Sequence, residues 1–109
     1  MLKRIEVFKD GKFNEKAMAK LLVHDSPYFR VLNFNFKAGQ ELPIHSHDTD
    51  GQLSIVVLEG SVEVETGARS IILASGDSLH VRSEGLLRFR NVDPKPARFI
   101  WASYPRLAL

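Results

Sequence analysis

Residues 51–76 read Gly51-Gln-Leu-Ser-Ile-Val-Val-Leu-Glu-Gly60-Ser-Val-Glu-Val-Glu-Thr-Gly67-Ala-Arg-Ser-Ile-Ile-Leu-Ala-Ser-Gly76, three short apolar runs punctuated by glycines. The middle run, Ser61 to Glu65, has a strict period of two, which is the signature of a half-buried strand: Val62 and Val64 face a core, while Glu63 and Glu65 face water. Its neighbours, residues 54–58 (SIVVL) and 71–74 (IILA), are apolar on both faces. That pattern predicts strands whose second face is also covered, by an opposing sheet, a terminal segment or a second subunit. From Gly39 onward the glycines fall at 39, 51, 60, 67, 76 and 85. Turns at this interval are those of an all-β sandwich or barrel.

The flanking segments extend the pattern. Leu87-Arg88-Phe89-Arg90 alternates with Leu87 and Phe89 inward, and residues 28–36 (YFRVLNFNF) alternate Leu32, Phe34 and Phe36 against Asn33 and Asn35. Phe34, Phe36, Leu87 and Phe89 are therefore expected in the core or in a pocket wall. Asp93-Pro-Lys-Pro96 predicts a turn, and residues 98–104 (RFIWASY) a last strand. Before Gly39 the signals are weaker: residues 2–8 can form a strand, and 14–23 a short helix or an edge strand. Helix content is expected to be low.

The chain has 109 residues, 44% apolar and 26% charged, with no cysteine. This composition suits one compact domain, in which 1–29 form an N-terminal segment packing on a barrel of residues 30–109. The missing cysteines exclude a thiolate metal site, a disulfide framework and a thiol nucleophile. The formal charge of +2 is too small for a nucleic-acid module, but it is unevenly placed. Residues 38–81 carry one basic residue, Arg69, against seven acidic ones, a balance of −6 that leaves +8 to the flanks. No P-loop spacing and no Gly-X-Ser-X-Gly elbow occur. Glu63 and Glu65 read as solvated charges able to pair with Arg88 or Arg90 rather than as a catalytic carboxylate pair. No signal peptide and no apolar run long enough to span a membrane are visible, so a cytoplasmic protein is expected.

One constellation has metal-ligand spacing. His45 and His47 lie at i and i+2 on an extended segment, so both imidazoles project to one face. Neutral imidazole suits Fe, Mn, Ni, Zn or Cu, and Asp48 and Asp50 follow close behind. Polar rim residues are the plainer reading of the same pair. His80, between Leu79 and Val81, is sent by alternation to the face opposite them. His24 precedes the turn sequence Asp25-Ser26-Pro27 and is expected at the surface.

Together, Gly39-X5-His45-X-His47, an apolar strand ending at Gly60, and Gly76-Asp77 resemble the two signature blocks of the cupins, small double-stranded β-helix (jelly-roll) proteins. The resemblance covers roughly residues 30–104. It implies a metal set begun by His45 and His47, with the third ligand at Leu53 or Gln52 depending on where one extra residue is absorbed; the amide makes Gln52 the preferred choice. In the second block Gly76, Asp77 and Asn91 match, whereas Arg82, Glu84 and Leu87 stand where proline, glycine and the fourth-ligand histidine are usual. The resemblance therefore implies a weakly held divalent metal, with a small polar molecule in the barrel, while the runs apolar on both faces make a homodimer the expected assembly. A metal-free binding or sensing protein is the alternative. The residues identify no reaction.

Overall fold

The structure, a computed structural model, describes residues 2–45, 51–67, 69–82 and 86–104, and at 44 and 45 the backbone only. His47, Asp48, Asp50 and Glu84 lie outside the described residues.

Among the described residues, nine strands form two antiparallel sheets. They are β1 (Ala19–Asp25), β2 (Arg30–Phe36), β3 (Glu41–His45), β4 (Gln52–Glu59), β5 (Ser61–Glu65), β6 (Ser70–Ala74), β7 (Ser78–Arg82), β8 (Leu86–Arg90) and β9 (Ala97–Tyr104). One sheet has the order β1-β2-β9-β4-β7, the other β3-β8-β5-β6. Consecutive strands repeatedly change sheet, as in a jelly roll. The all-β expectation is correct, and the only described helix is the single turn α1 (Val7–Asp10). No described helix is long and apolar enough to cross a membrane.

Alternation holds strand by strand. Val62, Val64, Leu87 and Phe89 line the inner face of the four-stranded sheet, and Leu32, Phe34, Phe36, Phe99 and Trp101 that of the other, all buried. Phe99 is the aromatic hub, stacked on Phe34 at 5.3 Å and on Phe89 at 5.6 Å and edge-on to Phe36 at 5.2 Å. Offset and edge-to-face rings at these separations add to the area term of burial. On the outer face Arg90 donates to Glu63 at 2.8 Å and Arg88 lies 3.9 Å from Glu65, the cross-strand pairing anticipated for these charges.

Turn geometry explains the family-like residues of the second block. Gly76 takes φ +91°. Its N–H donates to Val57 O at 2.8 Å, while Asp77 accepts the Ala74 N–H on its carboxylate at 2.8 Å. Asn91 is fully buried and spends its amide on Phe36 O and Lys95 O, at 3.2 and 2.8 Å. These residues hold the connections between strands.

Two expectations are corrected and two open alternatives are narrowed. Residues 2–8 form no strand; they run extended into α1, because Arg98 on β9 captures this segment on the outer face of the five-stranded sheet. The Arg98 guanidinium donates to Gly11 O, Asn35 Oδ1 and Glu59 Oε1 at 3.2–3.3 Å and packs over Phe13 at 4.5 Å and Phe8 at 5.3 Å. Under the segment, Asn33 and Asn35 are buried although they face away from the core, and they bond each other at 2.9 Å. Residues 14–23 resolve to the edge-strand alternative, with β1 beginning at Ala19. His24 therefore sits within that strand, half-buried and stacked on Phe29 at 4.6 Å, instead of at a solvated turn. Finally, on the second face of these strands Val56 and Ile72 are 39% and 58% exposed, so of the covers expected for it the described chain leaves the second subunit.

Candidate functional site

At one end of the barrel β3 ends, β8 and β4 begin, and β9 ends. On the inner face of the five-stranded sheet the register there lines up Arg30, Ser103, Leu53 and Val81 in one row. The row beneath is Leu32, Trp101, Ile55 and Leu79. Opposite, Leu87 is inward and 2% exposed. Antiparallel partners share a face, so these rows are the wall and floor of the barrel mouth.

The backbone of His45 closes β3 and pairs with Leu86, one step beyond the Ile44–Leu87 pair. For the third position β4 decides between the two candidates. Leu53 is inward at 1% exposure, and Gln52 is exposed on the outer face. The preference for Gln52 inside the barrel is thus corrected. The physical reason is the period of two: Ile55 and Val57 are core residues on the same strand, and a residue in phase with them must be Leu53. Gln52 instead borders an outer depression of about 320 Å³ with Tyr28, Phe29, His80 and Tyr104. Within it Ser54 Oγ and His80 Nδ1 lie 3.1 Å apart, and His80 is exposed as alternation required.

Two polar atoms of the mouth lack partners among the described residues. Ser103 Oγ and Trp101 Nε1 are buried and make no hydrogen bond there. They belong to residues i and i+2 of β9 and so point to the same inner face. Leaving a buried donor unmade costs about 1–3 kcal/mol, so such atoms in a native fold ask for an explanation. At the rim, Arg30 Nε and Nη2 donate to the Asp25 carboxylate at 3.3 Å, a forked pair that holds the guanidinium against β1. Reasoning on the sequence missed Ser103. The signal was present, since Ala97, Phe99, Trp101 and Ser103 share one phase of β9 and only the last carries a hydroxyl.

Among the described residues no metal site is assembled, and of the expected histidine ligands only the His45 backbone is described. The inner residues around the expected ligand positions are Leu53, Leu87 and Val81, with one serine, and no group of three His, Asp or Glu exists among the described residues. Leu53, Leu87 and Val81 add no donor to whatever His45 and His47 supply.

A cupin-domain family profile matches residues 32–103. Among solved structures, an RmlC-like cupin protein from Desulfovibrio desulfuricans is 32% identical, with a TM-score of 0.85 over 98% of this chain and 100% of that one. TT1209 from Thermus thermophilus is 24% identical, with a TM-score of 0.88 over 97% of this chain and 100% of that one. A protein with a double-stranded β-helix domain from Klebsiella pneumoniae is 19% identical, with a TM-score of 0.81 over 96% of this chain and 91% of that one. No curated protein matches.

Proposed function

Because the chain belongs to the cupin family, we propose that it is a binding cupin, which seats a small polar molecule in the barrel mouth between the apolar walls of Leu53, Leu87 and Val81. One observation carries this reading: Ser103 presents a buried hydroxyl, with no partner among the described residues, to the inner face of that mouth. A small number of polar groups placed in an otherwise apolar concavity is how small-molecule sites obtain orientation and specificity. His45 and His47, at the same end in sequence, supply further hydrogen bonds to the ligand.

The reading predicts an unusual response to a core substitution. A serine kept for the fold loses stability when truncated. A serine kept for a ligand is a burden on the free protein, so Ser103→Ala should leave the melting temperature unchanged or raise it by about 4–8 °C, as relief of about 1 kcal/mol would. In a thermal-shift screen of sugars, hydroxy acids and amino acids, hits that stabilise the wild type should fail on Ser103→Ala. A fall in the melting temperature of the free variant would overturn the reading.

The His-X-His spacing supports a second reading, a divalent transition metal held by His45 and His47. In that case elemental analysis of tag-free protein finds about one metal per chain, lost in His45→Ala and His47→Ala. Leu87→His, which adds an imidazole at a position that faces inward, raises the affinity. Protein that stays metal-free, and whose melting is indifferent to added Mn, Fe, Ni, Zn or Cu, removes this reading and leaves the first. A homodimer is supported by the uncovered outer face of the five-stranded sheet, where Val56 and Tyr104 are 39% and 61% exposed.

A further inference from the structure

The β5–β6 hairpin separates two depressions of different character. One, about 310 Å³, is of mixed polarity and is bordered by Glu65, Arg69 and Arg88, with Leu86 beside them. The other, about 340 Å³, is walled by Val64, Ile71, Leu79 and Val81. Thr66, Arg69 and Ser70 border both, so the two lie on either side of the same hairpin residues.

The apolar half is the unclosed seam of the barrel. β6 is the last described strand of one sheet and β7 the last of the other, and the two do not pair. Ile71 pairs with buried Val64 and so shares its inward face, yet it remains 48% exposed. Hydrocarbon on the inner wall of a barrel thus meets water at this seam, which is unfavourable unless something apolar fills it.

The polar half has cation to spare. Arg69 is the single basic residue between positions 38 and 81, and it pairs with no carboxylate among the described residues. Arg88 reaches Glu65 only at 3.9 Å and leaves its Nε buried without a described partner. Among the described residues, two guanidinium groups therefore border this depression with one carboxylate. The guanidinium fork matches an oxyanion, which it binds with paired charge-assisted hydrogen bonds.

We propose that this junction binds an amphiphilic anion, its oxyanion head on Arg69 with Arg88 beside it and its apolar body in the seam between β6 and β7. The reading uses none of the polar atoms of the barrel mouth and stands or falls apart from the function proposed above. Carboxylates and phosphate monoesters share the head-group chemistry, so both serve as probes.

Isothermal titration calorimetry of the full chain with octanoate, octyl phosphate and octanol tests it. At least one of the two anions should bind about tenfold or more tighter than the alcohol, and the tighter one names the head group. Arg69→Gln, on an exposed hairpin, should reduce the anions to the level of octanol. Ile71→Asp, at a half-exposed position, should weaken both anions by a similar factor by placing a like charge in the apolar half. His45→Ala and Ser103→Ala should bind the anions as the wild type does. Anions that bind no tighter than octanol, or that bind Arg69→Gln unchanged, would overturn the proposal.

Discussion

Replacing Gly60 by alanine should unfold this protein about 15 °C or more below the wild type, the largest effect expected of any change that adds a single methyl group. Gly60 carries the chain from the end of β4 in one sheet to the start of β5 in the other, and it does so at φ +73°. For an L residue that conformation costs about 1–2 kcal/mol before any contact is considered. The second cost is steric. A Cβ here would run into the Pro96 carbonyl oxygen and lie 3.0 Å from Ala97 Cα, both backbone atoms of the segment entering β9. Ala97 is fully buried and paired with Phe36, so that segment has nowhere to retreat. Together the terms amount to about 3 kcal/mol or more, and a domain of this size loses about 4–8 °C per kcal/mol. Calorimetry of Gly60→Ala is the check. Gly39→Ala is the control, because Gly39 has φ +79° but nothing within 4 Å of its Cβ position. It should show the conformational cost alone, and equal melting of the two variants would refute the steric argument.

Arg98→Met should be the next most damaging substitution, and its damage should be localised. The side chain is 11% exposed, with Glu59 at 43%, so the ion pair itself is partly screened and contributes modestly. The larger loss is of donors. Val7 O, Gly11 O and Asn35 Oδ1 all accept from Nη1, and the guanidinium plane packs on Phe13 and Phe8. Methionine keeps the stem and removes every donor. Asn35 is completely buried beneath the strap, and its oxygen would be left with one donor fewer unless the strap lifts and admits water. We expect a loss of about 2–3 kcal/mol and a fall in melting temperature of about 10 °C or more. Residues 2–18 should become sensitive to limited proteolysis while the barrel stays resistant. A variant whose N-terminal segment stays as protected as in the wild type would show that Phe8 and Phe13 hold the strap unaided.

Both effects depend on contacts between residues far apart in sequence, and this marks how much was legible beforehand. The strand set could be read from residues 28–104 because period-two alternation is a local property. Val62 with Val64 and Leu87 with Phe89 declare their inner face within a single strand, and burial follows. The turns at Gly39, Gly60 and Gly76 could be read for the same reason. All three have positive φ, a conformation other residues seldom adopt. The candidate histidines were legible as a spacing and no more.

The choice between Gln52 and Leu53 was not local. Counting residues through the segment before β4 gives one phase or the other, and only the pairing of Leu53 with Ser103 and Val81, in step with Ile55 and Val57, selects Leu53 as the inward residue. Chemical preference for an amide near histidines pointed the wrong way because a strand inserted between core neighbours obeys its pleat before it obeys its polarity.

By itself, then, the sequence determined an all-β chain, the inward residues of β2, β5 and β8, the turn glycines and a His-X-His spacing, with the jelly roll implied by the resemblance to the cupins. Each is written in a window of a few residues, by side-chain alternation or by a required φ. Only the tertiary structure decided which polar groups the barrel mouth contains, that Arg98 straps residues 2–18 over buried Asn33 and Asn35, and that a seam between β6 and β7 opens beside two under-committed arginines. Those features depend on which strands become neighbours across tens of residues. Pairing of that kind is selected by the free energy of the whole core and has no local signature.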